Sequence, residues 1–430
     1  MDQHLEHDHN DDGVDRRGFL TCMAWAGTGM LWAVNGGVLS SVSLGAVRRF
    51  GLPDRLKGGL FFAQISDSHI GFSKEANHDV TATLLEAVGR VNALPHRPAF
   101  VLHTGDISQL SKPSEFDTAD QVIRGIRTER VFYVPGEHDV LTDDGRQYLD
   151  RYGKGTKGSG WYSFDHTGVH FIGLVNVVNL KAGGLGALGP EQLAWLAKDV
   201  RGLSSSTPIV VFAHIPLWSV YPDWGWGTDD SEQALALLRR FGSVTVLNGH
   251  IHQVLQKVEG SIRFHTAQST AFPQPAPGTA PSPGPLTVEP GRLRSLLGIA
   301  SAEFVRGHEG LAVIDSPLAP SSGGAAPAAR AAASDTGARG GMLRGTTAPG
   351  GIGIDNFSFT PAALTAAPGA PVSWTNHDDV PHKIVSADKR FDPSPVLDTG
   401  DQYTTAFKAP GRYEYFCALH PRMTGTIVVG

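Results

Sequence analysis

Five short apolar runs, each followed within three residues by Asp, His or Glu, constrain this chain more than any other feature. Leu60–Ile65 leads to Asp67-Ser68-His69, and Phe100–His103 leads to Gly105-Asp106. Val131–Val134 leads to Gly136-Glu137-His138-Asp139, Pro208–Phe212 to His214, and Val244–Leu247 to Gly249-His250-Ile251-His252. A sixth run, Val169–Val175, has no such block after it. Between the runs lie stretches with helical spacing: 191–200, with Leu193, Leu196 and Val200, and 232–241, with Ala234, Leu235, Leu237 and Leu238. Short apolar runs alternating with helix-period segments predict a layered α/β domain over 57–271. In open α/β sheets ligands bind beyond the carboxyl ends of the strands, and all five blocks stand there.

At 430 residues the chain is too long for one ordinary core, so at least two domains are expected. The Gly and Pro residues collect between 272 and 350. Within that stretch Leu297–Ile299, Phe304 and Leu311–Ile314 read as last strands of the first domain, and 316–350 reads as a flexible linker. From 351 to 430 strand patterning returns, with candidates Ile354–Phe359, Val372–Trp374, Lys383–Val385, Tyr413–Cys417 and Thr424–Val429. The expected organisation is therefore a leader over 1–50, an α/β domain over 57–315, the linker over 316–350 and an all-β domain over 351–430. A formal charge of −6 without clustered Lys and Arg argues against nucleic acid as a partner. Ahead of the first domain, Asp15-Arg16-Arg17-Gly18-Phe19-Leu20 opens an apolar stretch, Phe19–Leu39. This resembles a twin-arginine export signal, which implies a periplasmic or other extracytoplasmic protein, touching a membrane only through an uncleaved leader.

The order D-x-H, G-D, G-E-H-D, H, G-H-x-H over 60–270 resembles the calcineurin-like metallophosphoesterases. That family implies a sandwich of two β-sheets flanked by helices and a pair of divalent or trivalent ions (iron, manganese or zinc) acting on a phosphomono- or phosphodiester small molecule. A metal-bridging hydroxide would attack the phosphorus in line. By match to the family pattern, Asp67, His69, His252 and the bridging Asp106 hold one ion. Glu137, His214, His250 and Asp106 hold the other. His138 would protonate the leaving oxygen, with Asp139 orienting its ring. Where the family has Asn, this chain has Glu137, which adds a negative charge and favours a harder ion. The tyrosine of the purple acid phosphatases is replaced by Gln109, so the domain looks nearer the class III cyclic-nucleotide phosphodiesterase-like branch.

The two cysteines, Cys22 and Cys417, lie in different segments, so Cys417 stands as a lone thiol. Around it run Tyr415-Phe416-Cys417-Ala418-Leu419-His420-Pro421-Arg422-Met423, with Val380-Pro381-His382 upstream. One thiolate, two imidazoles and a thioether are the donor set of a blue-copper site. The segment 351–430 resembles small cupredoxins of the amicyanin and plastocyanin type. The resemblance implies one copper ion held by His382, Cys417, His420 and Met423, and a redox partner for it. Lys383 stands where those relatives commonly have Asn, and its charge would raise the potential.

Two functions follow. One is an exported phosphoester hydrolase with a tethered copper electron-transfer domain. The other is a copper-binding protein whose phosphoesterase fold has become a scaffold, a reading that rests on Glu137. Outside the motifs, His103, His166, His170 and His265 read as structural. Trp218, Tyr221, Trp224 and Trp226 read equally well as loop packing or as an aromatic wall beside the pocket.

Overall fold

The computed structural model describes residues 30–35, 38–43, 59–289, 291–304, 311–319 and 350–430. The arginine pair Arg16-Arg17, Cys22 and nearly all of the 316–350 linker lie outside the described residues. Part of the apolar leader stretch is a hairpin, β1 (Met30–Asn35) with β2 (Val38–Ser43), in a unit separate from 59–430. No helix among the described residues is long and apolar enough to cross a membrane.

From Gly59 the chain alternates β3 (Leu60–Ile65), α1 (Val80–Asn92), β4 (Val101–His103), α2 (Pro113–Ile123) and β5 (Val131–Tyr133). After α3 (Arg146–Tyr152) come a hairpin of β6 (Tyr162–His166) and β7 (Val169–Gly173), then α4 (Pro190–Val200), β8 (Ile209–Phe212), α5 (Ser231–Leu238) and β9 (Val244–Asn248). A second hairpin, β10 (Gln256–Glu259) with β11 (Ile262–Thr266), precedes β12 (Gly298–Phe304) and β13 (Leu311–Pro317). The strands form two sheets, ordered β13-β12-β3-β4-β5 and β10-β11-β9-β8-β7-β6.

Side-chain alternation explains why the runs are apolar at most positions. In β8, Val210 and Phe212 point between the sheets, while Ile209 and Val211 point to the α4–α5 layer. In β3, Leu60 and Phe62 join the same inter-sheet core, and Ala63 and Ile65 face α1 and α2. A strand covered on both faces is apolar at nearly every position, and Gln64 is admitted in β3 because its amide bonds Thr104 Oγ1 and the Asn248 carbonyl, whereas a strand with a wet face alternates. α1 begins where the Asp79 carboxylate accepts from the Ala82 amide at 2.9 Å. Its buried face is Val80, Leu84, Ala87, Val88 and Val91, a helical repeat. The result is two sheets back to back with helices outside, as expected of a metallophosphoesterase domain.

The C-terminal domain has eight strands: β14 (Gly351–Asp355), β15 (Ser358–Thr360), β16 (Ala363–Ala366), β17 (Pro371–Asn376), β18 (Ile384–Ser386), β19 (Gln402–Ala406), β20 (Gly411–Cys417) and β21 (Thr424–Val429). They form two four-stranded sheets, β15-β14-β17-β19 and β16-β21-β20-β18. The core between them includes Ile354, Trp374, Tyr415 and Ile427. The run 354–359 is not one strand. It reverses at Asn356 and Phe357, both with positive φ, and the Asp378 carboxylate accepts both their amides, at 2.6 and 3.0 Å. Leu141, from the α/β domain, is buried in this second core.

Candidate metal centres

The five blocks meet at the C-terminal edge of the paired sheets. Asp67, His69 and His252 form one group, and Glu137, His214 and His250 another, with Asp106 beside both. His214 Nε2 lies 3.3 Å from Asp106 Oδ2 and 3.0 Å from Glu137 Oε2. His69 Nε2 lies 3.5 Å from Asp106 Oδ2, and His252 Nε2 lies 3.4 Å from Asp67 Oδ1. His250 Nδ1 is 2.9 Å from Glu137 Oε1. All seven residues that the motif match selects are thus gathered in one place, with only His250 partly open to solvent.

The donor set fits cations. His214 Nδ1 donates to the Thr104 carbonyl at 2.7 Å, and His252 Nδ1 to the Phe272 carbonyl at 2.6 Å, so each ring turns a lone pair on Nε2 inward. His69 Nδ1 is held by Gln109 Oε1 at 2.9 Å, which leaves its Nε2 only 3.1 Å from that of His252. Acceptors therefore face acceptors. Asp67 Oδ2, Glu137 Oε2, His214 Nε2 and His250 Nδ1 are buried without a hydrogen-bond partner. Orphaned buried polar atoms cost about 1–3 kcal/mol each, and a cation between them removes that cost.

The backbone is strained here too. Asp67, His69, Asp106, His250 and His252 all have positive φ, between 42° and 71°. Non-glycine residues adopt this region rarely, and such strain clusters at functional sites. The sharp turns aim the side chains back over the strand ends. Two glycines make room for this: a Cβ on Gly136 would overlap the Asp106 carboxylate, and one on Gly249 would overlap Ser66 Oγ.

Around His138 the expectation from sequence is corrected. The Asp139 carboxylate does not touch the His138 ring. It accepts from the amides of Ile107, Ser108 and Gly136 and from Ser108 Oγ, at 2.9–3.1 Å, and so ties the Gly105-Asp106 loop to the next one. The ring is oriented instead by the Gln109 carbonyl, which accepts from Nδ1 at 2.8 Å. Burial pulls the His138 ring down to about 4, although Glu137 opposes the shift, so the ring is neutral. Gln109 thus steadies both His69 and His138. In the sequence it stood out only as a missing tyrosine. Burial raises the Asp106 carboxyl and Glu137 beside it raises it further. Glu137 itself is lowered, because His250 and His214 outweigh its own burial.

At the second centre, Cys417 Sγ lies 3.5 Å from His382 Nδ1 and 3.6 Å from His420 Nδ1, and the two imidazole nitrogens are 3.3 Å apart. A point about 2 Å from all three corners exists, which is the length of a metal–imidazole bond. His382 Nε2 is held by Asp378 Oδ2 at 2.9 Å, a carboxylate that fixes the ring and turns Nδ1 inward. Burial would raise the Cys417 thiol, but His382 and His420 outweigh it and hold it well below its ordinary value. Met423 is buried, and its carbonyl accepts from the Cys417 amide at 3.1 Å, which closes the loop 417–423.

The other histidines have local partners. His103 bonds Ser68 Oγ, His170 sits between Asp165 and Asp199, His265 meets Asp315, and His166 lies edge-on to Phe100. The aromatic loop divides in two. Trp218 packs on Phe264 in the core, whereas Trp224 and Trp226 line a cavity of about 30 Å³ beside the first centre.

Two sheets with five ligand blocks, and a β-sandwich with a thiolate and two imidazoles, define a two-domain metalloprotein. Residues 62–254 match the calcineurin-like phosphoesterase family, and residues 345–429 match the cupredoxin-like domain. The chain carries a calcineurin-like metallophosphoesterase domain and, through its C-terminal domain, belongs to the cupredoxins. Glycerophosphodiester phosphodiesterase GpdQ from Enterobacter lignolyticus is 27% identical over 208 residues, covering 45% of this chain and 72% of that protein. Amicyanin-alpha from Methylorubrum extorquens is 33% identical over 83 residues, 18% of this chain and 69% of that protein. A solved dimetal phosphatase from Danio rerio aligns at 16% identity over 60% of this chain and 96% of its own, with a TM-score of 0.45.

Proposed function

We propose that this chain is an exported dinuclear-metal phosphoesterase, acting on a small phosphomono- or phosphodiester, with a type 1 copper electron-transfer domain attached. The observation that carries the reading is the ring of buried acceptors without donors at Asp67, Glu137, His214 and His250. Asp67, His69, Asp106 and His252 would hold one ion, and Asp106, Glu137, His214 and His250 the other. When bound, the ions supply a water-derived nucleophile near neutral pH and neutralise the phosphoryl oxygens. The resemblance allows iron, manganese or zinc, and Glu137 favours the harder of these.

His138 serves the leaving group. With Nδ1–H given to the Gln109 carbonyl, Nε2 of the neutral ring carries a lone pair, and it would pass a proton to the departing alcohol only after taking one up. Asp139 acts one step back, by holding the two loops in register. His382, Cys417, His420 and Met423 would hold the copper ion. Export rests on Arg16-Arg17 and the apolar stretch after them, and it suits a thiolate that a metal protects. The scaffold reading rested on Glu137. Its carboxylate reaches both His214 and His250, and this placement supports the enzyme instead.

The test is hydrolysis of bis(p-nitrophenyl) phosphate by the full chain. Turnover should vanish on chelation, return with added metal, and fall about 10²–10³-fold in His138→Ala without loss of metal. A protein with both ions in place and no activity on any phosphoester would overturn the proposal.

A further inference from the structure

The two centres are not separate in space. The cavity of about 30 Å³ beside the first centre is lined by Asp106, Glu137 and His138 from one domain and by Phe357, Val380 and His420 from the other. It adjoins a cavity of about 230 Å³ that shares His250, Trp224, Phe357 and His420 with it and adds Arg422 at its lining. The Phe357 ring packs against His420, with centroids 4.6 Å apart, so the two move as one wall.

The residues that dock the domains stand next to the copper-site residues in sequence. Lys383, after His382, donates from Nζ to the Leu141 carbonyl at 2.6 Å. Pro421, after His420, accepts from the Gly183 amide at 2.6 Å, and Arg422 donates back to the Gly183 carbonyl at 2.8 Å. Arg422 also lies 3.8 Å from Asp223. A shift of the pocket wall is therefore a shift of the loop that carries Cys417 and His420.

We infer that the cupredoxin domain forms the outer wall of the phosphoesterase pocket, with Phe357 and His420 facing the substrate, so that the pocket favours small phosphoesters and the copper site senses its occupant. This rests on the proposed phosphoesterase reading. The larger cavity is below the usual range of about 300–1,000 Å³ for ligand pockets, and the smaller has room for about one water or one phosphoryl oxygen. Such a space favours a phosphate bearing a short polyol or amino alcohol over a bulkier ester. Arg422 supplies a cation near the entrance for the anionic group.

The test uses the full chain with both centres filled. Inorganic phosphate is titrated while the thiolate–copper absorption is followed, and calorimetry measures phosphate binding in parallel. The absorption should shift saturably, with the half-saturation that calorimetry gives. In Phe357→Ala the preference for glycerophosphodiesters over bis(p-nitrophenyl) phosphate should fall by roughly 10-fold, because the wall recedes. Phosphate heat with no copper response, together with unchanged size preference in Phe357→Ala, would overturn the inference alone. No phosphate binding with the first centre filled would sink the phosphoesterase reading, and this inference with it.

Discussion

The two centres solve the same problem in opposite ways. The first is assembled from five loops spread over nearly two hundred residues, and five of its seven residues sit in strained backbone. Two of its four imidazoles are oriented by main-chain carbonyls, those of Thr104 and Phe272, and a third, His69, by the Gln109 side chain. The second takes Cys417 and His420 from one loop, which the Met423 carbonyl closes, and only His382 from elsewhere, and a side-chain carboxylate, Asp378, orients that ring. A site built from many loops depends on the whole α/β framework, whereas a one-loop site depends on a few local bonds. Single substitutions should therefore spread their damage differently in the two.

The largest effect belongs to Asp106→Asn. Its carboxylate touches both halves of the first cluster, so hydrolysis should fall by about 10³-fold or more, with loss of both ions and little change in copper. Retention of one tightly held ion and most of the activity would separate the halves and break the comparison. Next comes Asp378→Asn, which should weaken copper binding by about 10- to 100-fold and leave hydrolysis of a saturating substrate nearly unchanged. Competition with a copper chelator measures it. Glu137→Asn sharpens the role of the extra charge: removing it should raise turnover by roughly 3-fold at neutral pH, since a less anionic ligand set leaves bound water more acidic. A fall of 10-fold or more would mean that Glu137 is needed as a charge.

The smallest effect lies away from both centres. Burial pulls the His170 imidazole down, but the bonds to Asp199 and Asp165 outweigh it and hold the group above its ordinary value. A group raised in the folded state stabilises it fully below the unfolded value of about 6.5, and that contribution is lost as pH rises through the folded value. His170→Gln should therefore be less stable than the parent in mildly acidic buffer, with the gap closing toward alkaline pH. Denaturant titrations across pH check it, and a gap that widens with pH would contradict it.

Much of this was legible in the sequence, for a physical reason. Strands buried on both faces read as largely apolar runs, and the ligand blocks follow those runs directly, so the seven clustered residues could be picked out by their match to the metallophosphoesterase pattern. Helices α1 and α2 do not follow from the ligand blocks, although α1 carries a helical repeat at Val80, Leu84, Ala87 and Val91. The turn at Asn356-Phe357 escaped because its stabilising group, Asp378, is twenty-odd residues away. For Asp139, adjacency to His138 suggests contact, while the carboxylate's partners are three amides and the Ser108 hydroxyl. The docking of the two domains was invisible for the same reason. Its acceptors are the carbonyls of Leu141 and Gly183, which every residue possesses and no sequence distinguishes.

The most direct test of the account is elemental analysis of the intact chain as purified. The account predicts two ions other than copper and one copper per chain, with the copper alone lost in Cys417→Ser. A chain that carries copper but no second kind of metal, with the first cluster empty, would contradict it.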